Sequence, residues 1–321
     1  MTPWHHRVNA LGRTRTPFLF IIDFEQQQPI ILPLSEVDPA ELLYDFQGVR
    51  NHAGGGEFHR PLHLIRSTLD VATYRRAFAH VMQQLRQGNS FLVNLTFPTE
   101  IKVNFSLQEL FFRSEARYKL WLRNQLAVFS PESFVRISNG QIRTYPMKGT
   151  IDATVPNARQ VVLDDPKEKA EHTTIVDLLR NDLSRLATRV CVKRFRYVEE
   201  INTARSTLLQ VSSEIEGTLP SDYHARLGDL LSSLLPAGSI SGAPKPKTLE
   251  IIRNAELGPR GYYTGVMGYY DGERLDSGVM IRFIEQHGDQ YFYRSGGGIT
   301  ARSVLAAEYQ ELHDKVYVPI R

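Results

Sequence analysis

The chain has 321 residues, of which 42% are hydrophobic and 23% charged, and its formal net charge is +3. These values are ordinary for a globular protein, and the length allows one large domain or two. Lysine and arginine are scattered rather than clustered, which argues against nucleic acid as the main partner. The apolar run from Phe18 to Ile22 is too short for a membrane span or a signal sequence core. We therefore expect a cytoplasmic protein that binds neither nucleic acid nor a membrane.

The first half of the chain predicts strands and one clear helix. Two apolar runs, 17–24 and 30–34, are separated by polar residues and predict a hairpin. Apolar residues at helical spacing between Asp70 and Gly88 predict a helix that Asp70 caps. Asn139-Gly140 predicts a hairpin turn between two strands. The strands predicted in this half are 91–96, 125–129, 134–138 and 141–145.

The second half mixes helices and strands. A long helix is predicted after 164–166, because Pro166 suits a first turn and Asp165 can cap it. Tight turns between neighbouring strands favour antiparallel sheets in an α+β fold. No linker is evident, so we predict one composite domain, 1–321, with a short β-rich N-terminal part at 1–66 and a catalytic core at 67–321. The other elements predicted are helices at 223–234 and 304–316 and strands at 261–270, 274–285 and 290–294.

The single cysteine, Cys191, excludes an internal disulfide and a cysteine-based zinc site. It lies in an apparent strand, 189–192, with valine on either side. We therefore predict a buried structural thiol at this position rather than a nucleophile.

Lys148 is the residue of greatest chemical interest. It lies at the end of an apparent strand in the segment 145–149, just before Thr150. Gly149 permits close approach of the backbone and Thr150 offers a hydroxyl group, so the pair suits a small anionic substrate. The Lys148 amine could bond covalently to such a substrate. The alternative is an ordinary solvated charge.

Two predicted helices each carry a pair of glutamates spaced three residues apart. Glu168 and Glu171 share a face of the long helix, and Glu308 and Glu311 share a face of the closing helix. Four carboxylates from two distant helices could form an oxygen-only site for Mg²⁺. Alternatively, Glu168 serves only in the helix cap and the other three form an exposed acidic face.

Two glycine-rich segments could bind anions. The segment 236–245 contains Ser239 and leads into a predicted helix, whose free N–H groups, with Lys245 beside them, could hold a carboxylate or a phosphate. A structural loop is the alternative for this segment. The second segment, Gly296–Gly298, follows a predicted strand and precedes the closing helix. Its backbone amides should therefore lie close to the glutamates of that helix.

Several of these segments occur in an order that is highly specific. They are 171–182, 238–245, 263–268, Ile281-Arg282 and the run from Gly296, Gly297 and Gly298 through Glu308 and Glu311. From about Ser67 to the C-terminus, this order resembles the chorismate-utilising enzymes, which include anthranilate, aminodeoxychorismate, isochorismate and salicylate synthases. The resemblance implies a chorismate-binding, anthranilate synthase-like fold with two mainly antiparallel β-sheets packed face to face and helices outside.

The resemblance also implies a set of ligands for the metal and the substrate. Mg²⁺ would be held by four glutamates, two directly and two through water: Glu171 and Glu311, then Glu168 and Glu308. The pyruvyl carboxylate of chorismate would be bound by Tyr263 and Arg282, since the planar guanidinium bonds both carboxylate oxygens. The ring carboxylate would reach the metal and the triple-glycine amides, and Lys315 would assist. Ser239 and Lys245 are the substrate-binding candidates of the 236–245 segment.

Two positions separate the chemistries within this family. Isochorismate and salicylate synthases share a lysine that activates water, and Leu92 matches that position here. Anthranilate synthases typically have alanine at the position of Lys148, whereas aminodeoxychorismate synthases have lysine. The resemblance is therefore to the first component of the aminodeoxychorismate synthases, which serve para-aminobenzoate and folate biosynthesis. Neutral Lys148 would attack C2 and expel the C4 hydroxyl, and ammonia would then displace the lysine by attack at C4. Partial burial or a nearby cation would lower the pKa of this amine.

Two departures from the family's pattern qualify this prediction. Gln210 matches a histidine that is thought to orient or protonate the leaving hydroxyl, and glutamine cannot act as a general acid. The leaving group would then be protonated from elsewhere, or turnover would be slow. No counterpart of a tryptophan-binding pocket is evident in the N-terminal part, so feedback inhibition by tryptophan is not expected.

Use of glutamine requires a cysteine nucleophile, and Cys191 lacks the surrounding sequence of a glutaminase. Ammonia would therefore come from free ammonium or from a separate glutamine amidotransferase subunit. Two alternatives to the aminodeoxychorismate synthase remain: the first component of anthranilate synthase, and a non-catalytic chorismate-binding subunit that Gln210 alone supports.

Overall fold

Two antiparallel sheets form the centre of the molecule, which a computed structural model describes over residues 3–56, 60–202 and 207–320. The strands of these ranges are β1 Phe18–Ile22, β2 Ile30–Pro33, β3 Leu42–Phe46, β4 Val49–Arg50, β5 Leu64–Arg66, β6 Leu92–Val103, β7 Tyr118–Leu122, β8 Leu126–Ser130, β9 Ser133–Ser138, β10 Gln141–Thr144, β11 Met147–Asp152, β12 Thr188–Asn202, β13 Thr207–Thr218, β14 Gly242–Ala243, β15 Val266–Tyr270, β16 Leu275–Val279, β17 Phe283–His287 and β18 Gln290–Ile299. The helices are α1 Trp4–Arg13, α2 Val71–Arg86, α3 Leu107–Arg113, α4 Ala158–Asp164, α5 Pro166–Ser184, α6 Leu227–Leu234, α7 Gly238–Ser241, α8 Lys245–Ala255 and α9 Leu305–Asp314, with 3-10 turns at Leu34–Glu36 and Tyr223–Arg226.

The first sheet has the order β11-β13-β10-β9-β16-β15-β1-β2, with β12 paired to β13. The second has the order β14-β6-β18-β17-β8-β7-β3-β4, with β5 paired to β6. Between the sheets, Leu19 and Met267 of the first pack in one apolar cluster with Leu120 and Val128 of the second. The predicted α+β fold with two antiparallel sheets is therefore confirmed. None of the helices in the described ranges is long and apolar enough to cross a bilayer.

The local signals in the sequence produce the elements that they predict. Asp70 caps α2, since its carboxylate accepts hydrogen bonds from the backbone N–H groups of Ala72 and Thr73. Asp165 caps α5 by accepting from the N–H of Glu168, and Pro166 occupies the first turn. The predicted hairpins β1–β2 and β9–β10 both form.

Three predictions in the second half are corrected. The strand predicted at 274–285 is two strands, β16 and β17, which lie in different sheets. The chain crosses between the sheets at 280–282, where Arg282 has a left-handed backbone with φ 54°. The triple glycine lies inside β18 rather than after it, because Gly296–Gly298 pair with β6. The predicted loop at 236–245 contains α7 and β14.

The N-terminal part and Cys191 also differ from expectation. Besides its strands, the N-terminal part contains α1, in which the Asn9 side chain accepts from the N–H of Gly228 on α6. Its strands join the same two sheets as the rest of the chain, since β1 pairs with β15 and β3 pairs with β7. The prediction of a buried Cys191 is wrong, because this thiol is exposed on β12. An alternating apolar pattern cannot distinguish a covered strand from one whose outer face meets solvent.

Candidate active site

Lys148 lies where β11 meets the first turns of α5. Its Nζ atom donates a hydrogen bond to Glu171 Oε2 at 3.1 Å. Gly149, the next residue, has φ 88°, a conformation that favours glycine. A Cβ at Gly149 would lie 3.3 Å from Val162 Cγ2 and 3.6 Å from Glu168 Oε2. The glycine therefore lets α4 and α5 approach the strand that carries the lysine.

The triple glycine of β18 connects Lys148 to the glutamates of α9. A Cβ at Gly297 would lie 3.4 Å from an oxygen of Glu308 and 3.4 Å from an oxygen of Glu311. A Cβ at Gly298 would lie 3.6 Å from Lys148 Nζ and 3.0 Å from Leu92 Cδ1. Because successive residues of a strand face opposite sides, the missing side chain of Gly297 leaves room for the carboxylates of α9, and that of Gly298 leaves room for the Lys148 amine on the other face. Leu92 is buried there and contributes an apolar group to the same surface.

Further lysines pair with the carboxylates. Lys315 Nζ lies 2.6 Å from Glu311 Oε1 and donates to the carbonyl of Gly296 at 2.8 Å. Lys167 Nζ lies 4.0 Å from Glu171 Oε1 and 3.9 Å from Glu308 Oε1. The four glutamates thus lie in one cluster at the junction of α5, α9 and β18, where cationic side chains partly balance their charge.

The electrostatics of Lys148 contradict one expectation. Burial acts to lower the pKa of its amine, but the carboxylates of Glu171, Glu168 and Glu311 outweigh burial and raise it. The predicted lowering of this pKa is therefore wrong for the chain alone, in which the ammonium form is favoured. Lys315 differs, since burial lowers its pKa even though Glu311 opposes the shift.

The glutamates respond to burial and to one another. Burial raises the pKa of Glu168, and the neighbouring carboxylate of Glu171 adds to the shift. Burial likewise raises the pKa of Glu308, with Glu311 and Glu171 adding to it. The pKa of Glu311 is lowered, because Lys315 and other lysines outweigh its burial. Negative charge is therefore crowded in this cluster.

The donor set fits a hard divalent cation. Carboxylate oxygens are what Mg²⁺ prefers, and their mutual repulsion is what a bound cation relieves. Within the described ranges, no three His, Cys, Asp or Glu side chains already converge as a metal cage. Mg²⁺ does not require such a cage, because it keeps several of its own water ligands and needs few direct protein ligands.

A second group of predicted residues lies around Arg282. The Arg282 guanidinium lies 4.8 Å from the ring centroid of Tyr317, and its Nη1 donates to the carbonyl of Lys315 at 3.5 Å. Burial acts to lower the pKa of Arg282, but the surrounding tyrosines outweigh it and the pKa is raised. Burial raises the pKa of Tyr263 to about 12. A neutral phenol and a guanidinium cation are thus available for a carboxylate.

Glu132 belongs to this site and was not predicted. It lies in the turn between β8 and β9, and Ser239 Oγ donates to its Oε1 at 2.6 Å. Burial raises the pKa of the Glu132 carboxyl, although Ser239 and the charges of Lys148, Arg282 and Lys315 act in the opposite direction. A glutamate after a proline in a turn has no local sequence pattern that predicts its place in the site. That place depends on residues distant in the sequence.

Thr150 lies directly opposite Gln210 in the antiparallel pairing of β11 with β13, so the two are cross-strand neighbours on one face of the sheet. Lys245 is not brought to the glutamates. Its Nζ lies 2.7 Å from Asp182 Oδ2, which is buried, and donates to the carbonyl of Leu234. An anion at Lys245 would have to displace a buried ion pair, which the geometry does not favour.

Comparison with known proteins shows the family of this chain. A family model described as chorismate binding enzyme matches residues 24–321. The chain belongs to the chorismate binding enzyme family. The match begins well before Ser67, where the resemblance in the sequence becomes evident, so most of the N-terminal part is family structure as well.

Individual members of this family vary in how much of their length the chain matches. It is 53% identical over 315 residues to an uncharacterized PabA-like protein of Pasteurella multocida (strain Pm70), covering 98% of this chain and 97% of that protein. It is 33% identical over 266 residues to aminodeoxychorismate synthase component 1 of Salmonella typhimurium, covering 78% of this chain but 57% of that protein. The crystal structure of anthranilate synthase component I from Streptococcus pneumoniae TIGR4 superposes with a TM-score of 0.68 at 26% identity, covering 80% of this chain and 59% of that one. The chain thus spans little more than half the length of these two synthases.

Proposed function

We propose that the protein is the first component of an aminodeoxychorismate synthase, which aminates chorismate with ammonia to give 4-amino-4-deoxychorismate. The observation that carries the proposal is the placement of the Lys148 amine. It lies 3.1 Å from Glu171 Oε2 and beside Gly296–Gly298 of β18, which we call the glycine strand. The neighbouring position 92 is a leucine and not a second lysine. The ring of a substrate held by the glycine strand would lie against the Lys148 amine. It would meet no water-activating base at position 92.

The substrate's two carboxylates have separate partners in this proposal. Arg282 and Tyr263 bind the pyruvyl carboxylate through a charge-assisted pair and a phenolic hydroxyl. The ring carboxylate lies toward the amides of Gly296–Gly298, with Lys315 assisting. Glu171 and Glu311 would hold Mg²⁺ directly and Glu168 and Glu308 through water. When bound, the ion would offset the carboxylate charge that keeps Lys148 protonated and would balance the charge of the substrate.

Lys148 acts as the nucleophile. Its neutral amine forms a bond to C2 of chorismate, both ring double bonds shift by one position, and the C4 hydroxyl leaves as water once it is protonated. Ammonia then attacks C4, both double bonds shift back, and the lysine amine leaves C2. The exchange needs no oxidant or reductant, and Lys148 is regenerated.

Glu132 is the acid that this scheme requires. Gln210 cannot donate a proton, so the leaving hydroxyl must be protonated by another group. Glu132 is a carboxyl whose raised pKa keeps a proton to a higher pH than an ordinary glutamate, and it lies within the field of Lys148. Ser239 holds one of its oxygens, so we propose that Ser239 positions this acid.

Ammonia is proposed to come from a separate glutamine amidotransferase subunit. The exposed Cys191 lies on the strand β12 and not at a strand-to-helix turn of the kind that presents a nucleophile. With glutamine alone the purified chain should therefore release no aminated product from chorismate, and with ammonium it should release that product continuously.

The test is incubation of the purified chain with chorismate, Mg²⁺ and ammonium, with products identified by mass spectrometry. Formation of 4-amino-4-deoxychorismate is the expected result. Release of anthranilate would instead identify an anthranilate synthase component I, the nearest enzymatic alternative. If chorismate binds but is not consumed, the protein is a non-catalytic chorismate-binding subunit.

Replacing Glu132 with glutamine is expected to slow turnover by about 10²-fold, the lower end of what a positioned general acid contributes. Glutamine keeps the size of the side chain and can still bond to Ser239, so binding of chorismate should change little. Steady-state kinetics with ammonium would show a lower kcat and a similar KM. Glu200, an exposed glutamate on β12, is the matched control for Glu→Gln. An unchanged kcat in Glu132→Gln would remove Glu132 from the mechanism.

A further inference from the structure

Lys167 occupies a position between the two carboxylate pairs. It lies in the first turn of α5, and its Nζ is 4.0 Å from Glu171 Oε1 on the same helix and 3.9 Å from Glu308 Oε1 on α9. The Lys167 side chain is 53% exposed, whereas that of Glu308 is 3% exposed. The ammonium therefore reaches from solvent to two carboxylates of different helices, of which that of Glu308 is buried and that of Glu171 is 10% exposed.

This contact differs from an ordinary surface ion pair. A lysine four residues from a glutamate on one helix stabilises that helix by only a few tenths of a kcal/mol. The contact with Glu308, which is distant in the sequence, does not stabilise a single helix. It joins α5 to α9 across the glutamate cluster. Lys148 and Lys315 balance the carboxylates on the side of the glycine strand, and Lys167 balances them on the solvent side.

The Lys167 ammonium, which bridges Glu171 and Glu308, is a weakly held and exchangeable cation. Both distances are at the limit for an ion pair, and an ammonium on a flexible four-carbon stem can leave without any change of the backbone. A divalent cation bound to Glu171 would be attracted to the same oxygens and would repel the ammonium at a similar distance. The two cations are therefore alternatives at this position.

We propose that Lys167 is a positioning residue that acts as a tethered counter-cation. It holds Glu171 and Glu308 together before the divalent cation binds, and it is displaced when the cation binds. The proposal rests on the Mg²⁺ site of the proposed function. It predicts that Lys167 lowers the affinity of the site for Mg²⁺ and stabilises the metal-free protein.

The test is isothermal titration of Mg²⁺ into the full chain without chorismate, for the wild type and for Lys167→Gln. Loss of the competing charge should lower the Kd for Mg²⁺ by about 3- to 10-fold, the range that a half-exposed charge a few ångströms away can produce. Lys167→Arg keeps the charge and should bind Mg²⁺ as the wild type does. Lys169→Gln removes an exposed charge from another side of the same helix and should also leave the Kd unchanged.

Thermal unfolding gives a second readout that does not depend on catalysis. Without Mg²⁺, Lys167→Gln should melt below the wild type because Glu171 and Glu308 repel each other. With saturating Mg²⁺ the difference should disappear, since the ion replaces the missing charge. A lower melting temperature at every Mg²⁺ concentration would indicate a purely structural lysine and would overturn the proposal.

The role of Lys167 and the existence of the Mg²⁺ site can fail separately, and different results identify each failure. Equal or weaker Mg²⁺ binding by Lys167→Gln, or equally tighter binding by Lys169→Gln, overturns the role of Lys167 alone. If the wild type and Glu171→Gln bind Mg²⁺ equally, or if neither binds it, the proposed metal site is wrong and the inference is wrong with it.

Discussion

Replacing Lys148 with alanine is expected to lower kcat/KM for chorismate, with ammonium as the amine donor, by about 10³-fold or more, because it removes the proposed nucleophile. The small side chain leaves the carboxylates and the glycine strand in place. The substitution also removes a cation that pairs with Glu171, which leaves that carboxylate free for Mg²⁺. Mg²⁺ and chorismate should therefore still bind. The measurement is product formation by mass spectrometry, together with calorimetric binding of chorismate in the presence of Mg²⁺.

Two further observations sharpen this prediction. Wild-type protein mixed with chorismate and Mg²⁺ but no ammonium should show a covalent adduct in its intact mass, and Lys148→Ala should show none. Lys169→Ala, which removes an exposed lysine from α5, should keep both the adduct and the activity. Undiminished activity of Lys148→Ala with ammonium would show that the lysine is dispensable and would return the choice of reaction to an open question.

The sequence predicts well those features that depend on neighbours in the chain. The caps at Asp70 and Asp165 and the turn at 139–140 depend on a few consecutive residues, and all three form. The glutamate pairs share their helix faces for the same reason, since three residues make almost one helical turn. The meeting of the two glutamate pairs depends on the tertiary fold. The order of the family's motifs predicted it, and the spacing within each helix could not.

The features that were missed depend on distant parts of the chain. Whether residues 274–285 form one strand or two is decided by which sheet each half joins, and both halves are apolar enough for either. Glu132 becomes part of the site only because Ser239, more than a hundred residues later, bonds to it. The raised pKa of Lys148 follows from three carboxylates on two helices, and no local pattern reports their summed field.

Replacing Arg260 with methionine is expected to lower the free energy of unfolding by about 3–5 kcal/mol, the usual cost of leaving one member of a buried ion pair without its partner. Arg260 is 1% exposed, and two of its nitrogens lie 2.6 and 2.9 Å from the two oxygens of Glu256, which is also buried. It also donates to the carbonyls of Asn94 on β6 and Ile240 on α7. Methionine fills similar space but leaves these acceptors unbonded, as urea unfolding should show.

Two variants separate the buried charge from the rest of this effect. Adding Glu256→Gln to Arg260→Met removes the stranded charge and should recover part of the loss, because glutamine can still accept from the N–H of Thr96. Lys247→Met breaks an exposed pair with Glu250 and should cost less than about 1 kcal/mol. A cost for Arg260→Met as small as that of Lys247→Met would contradict the prediction.

The same arginine reaches the proposed substrate site through Thr264. Arg260 Nη1 lies 3.3 Å from Thr264 Oγ1, and Thr264, with φ 61°, forms the turn that places Tyr263 next to β15. Since Tyr263 and Arg282 are proposed to hold the pyruvyl carboxylate, loosening this turn should weaken chorismate binding more than it slows the reaction of bound substrate. Arg260→Met should therefore raise KM under conditions where the variant remains folded, with a smaller change in kcat. A fall in kcat at constant KM would mean that Arg260 supports Lys148 and its neighbours instead, because those residues act on bound chorismate.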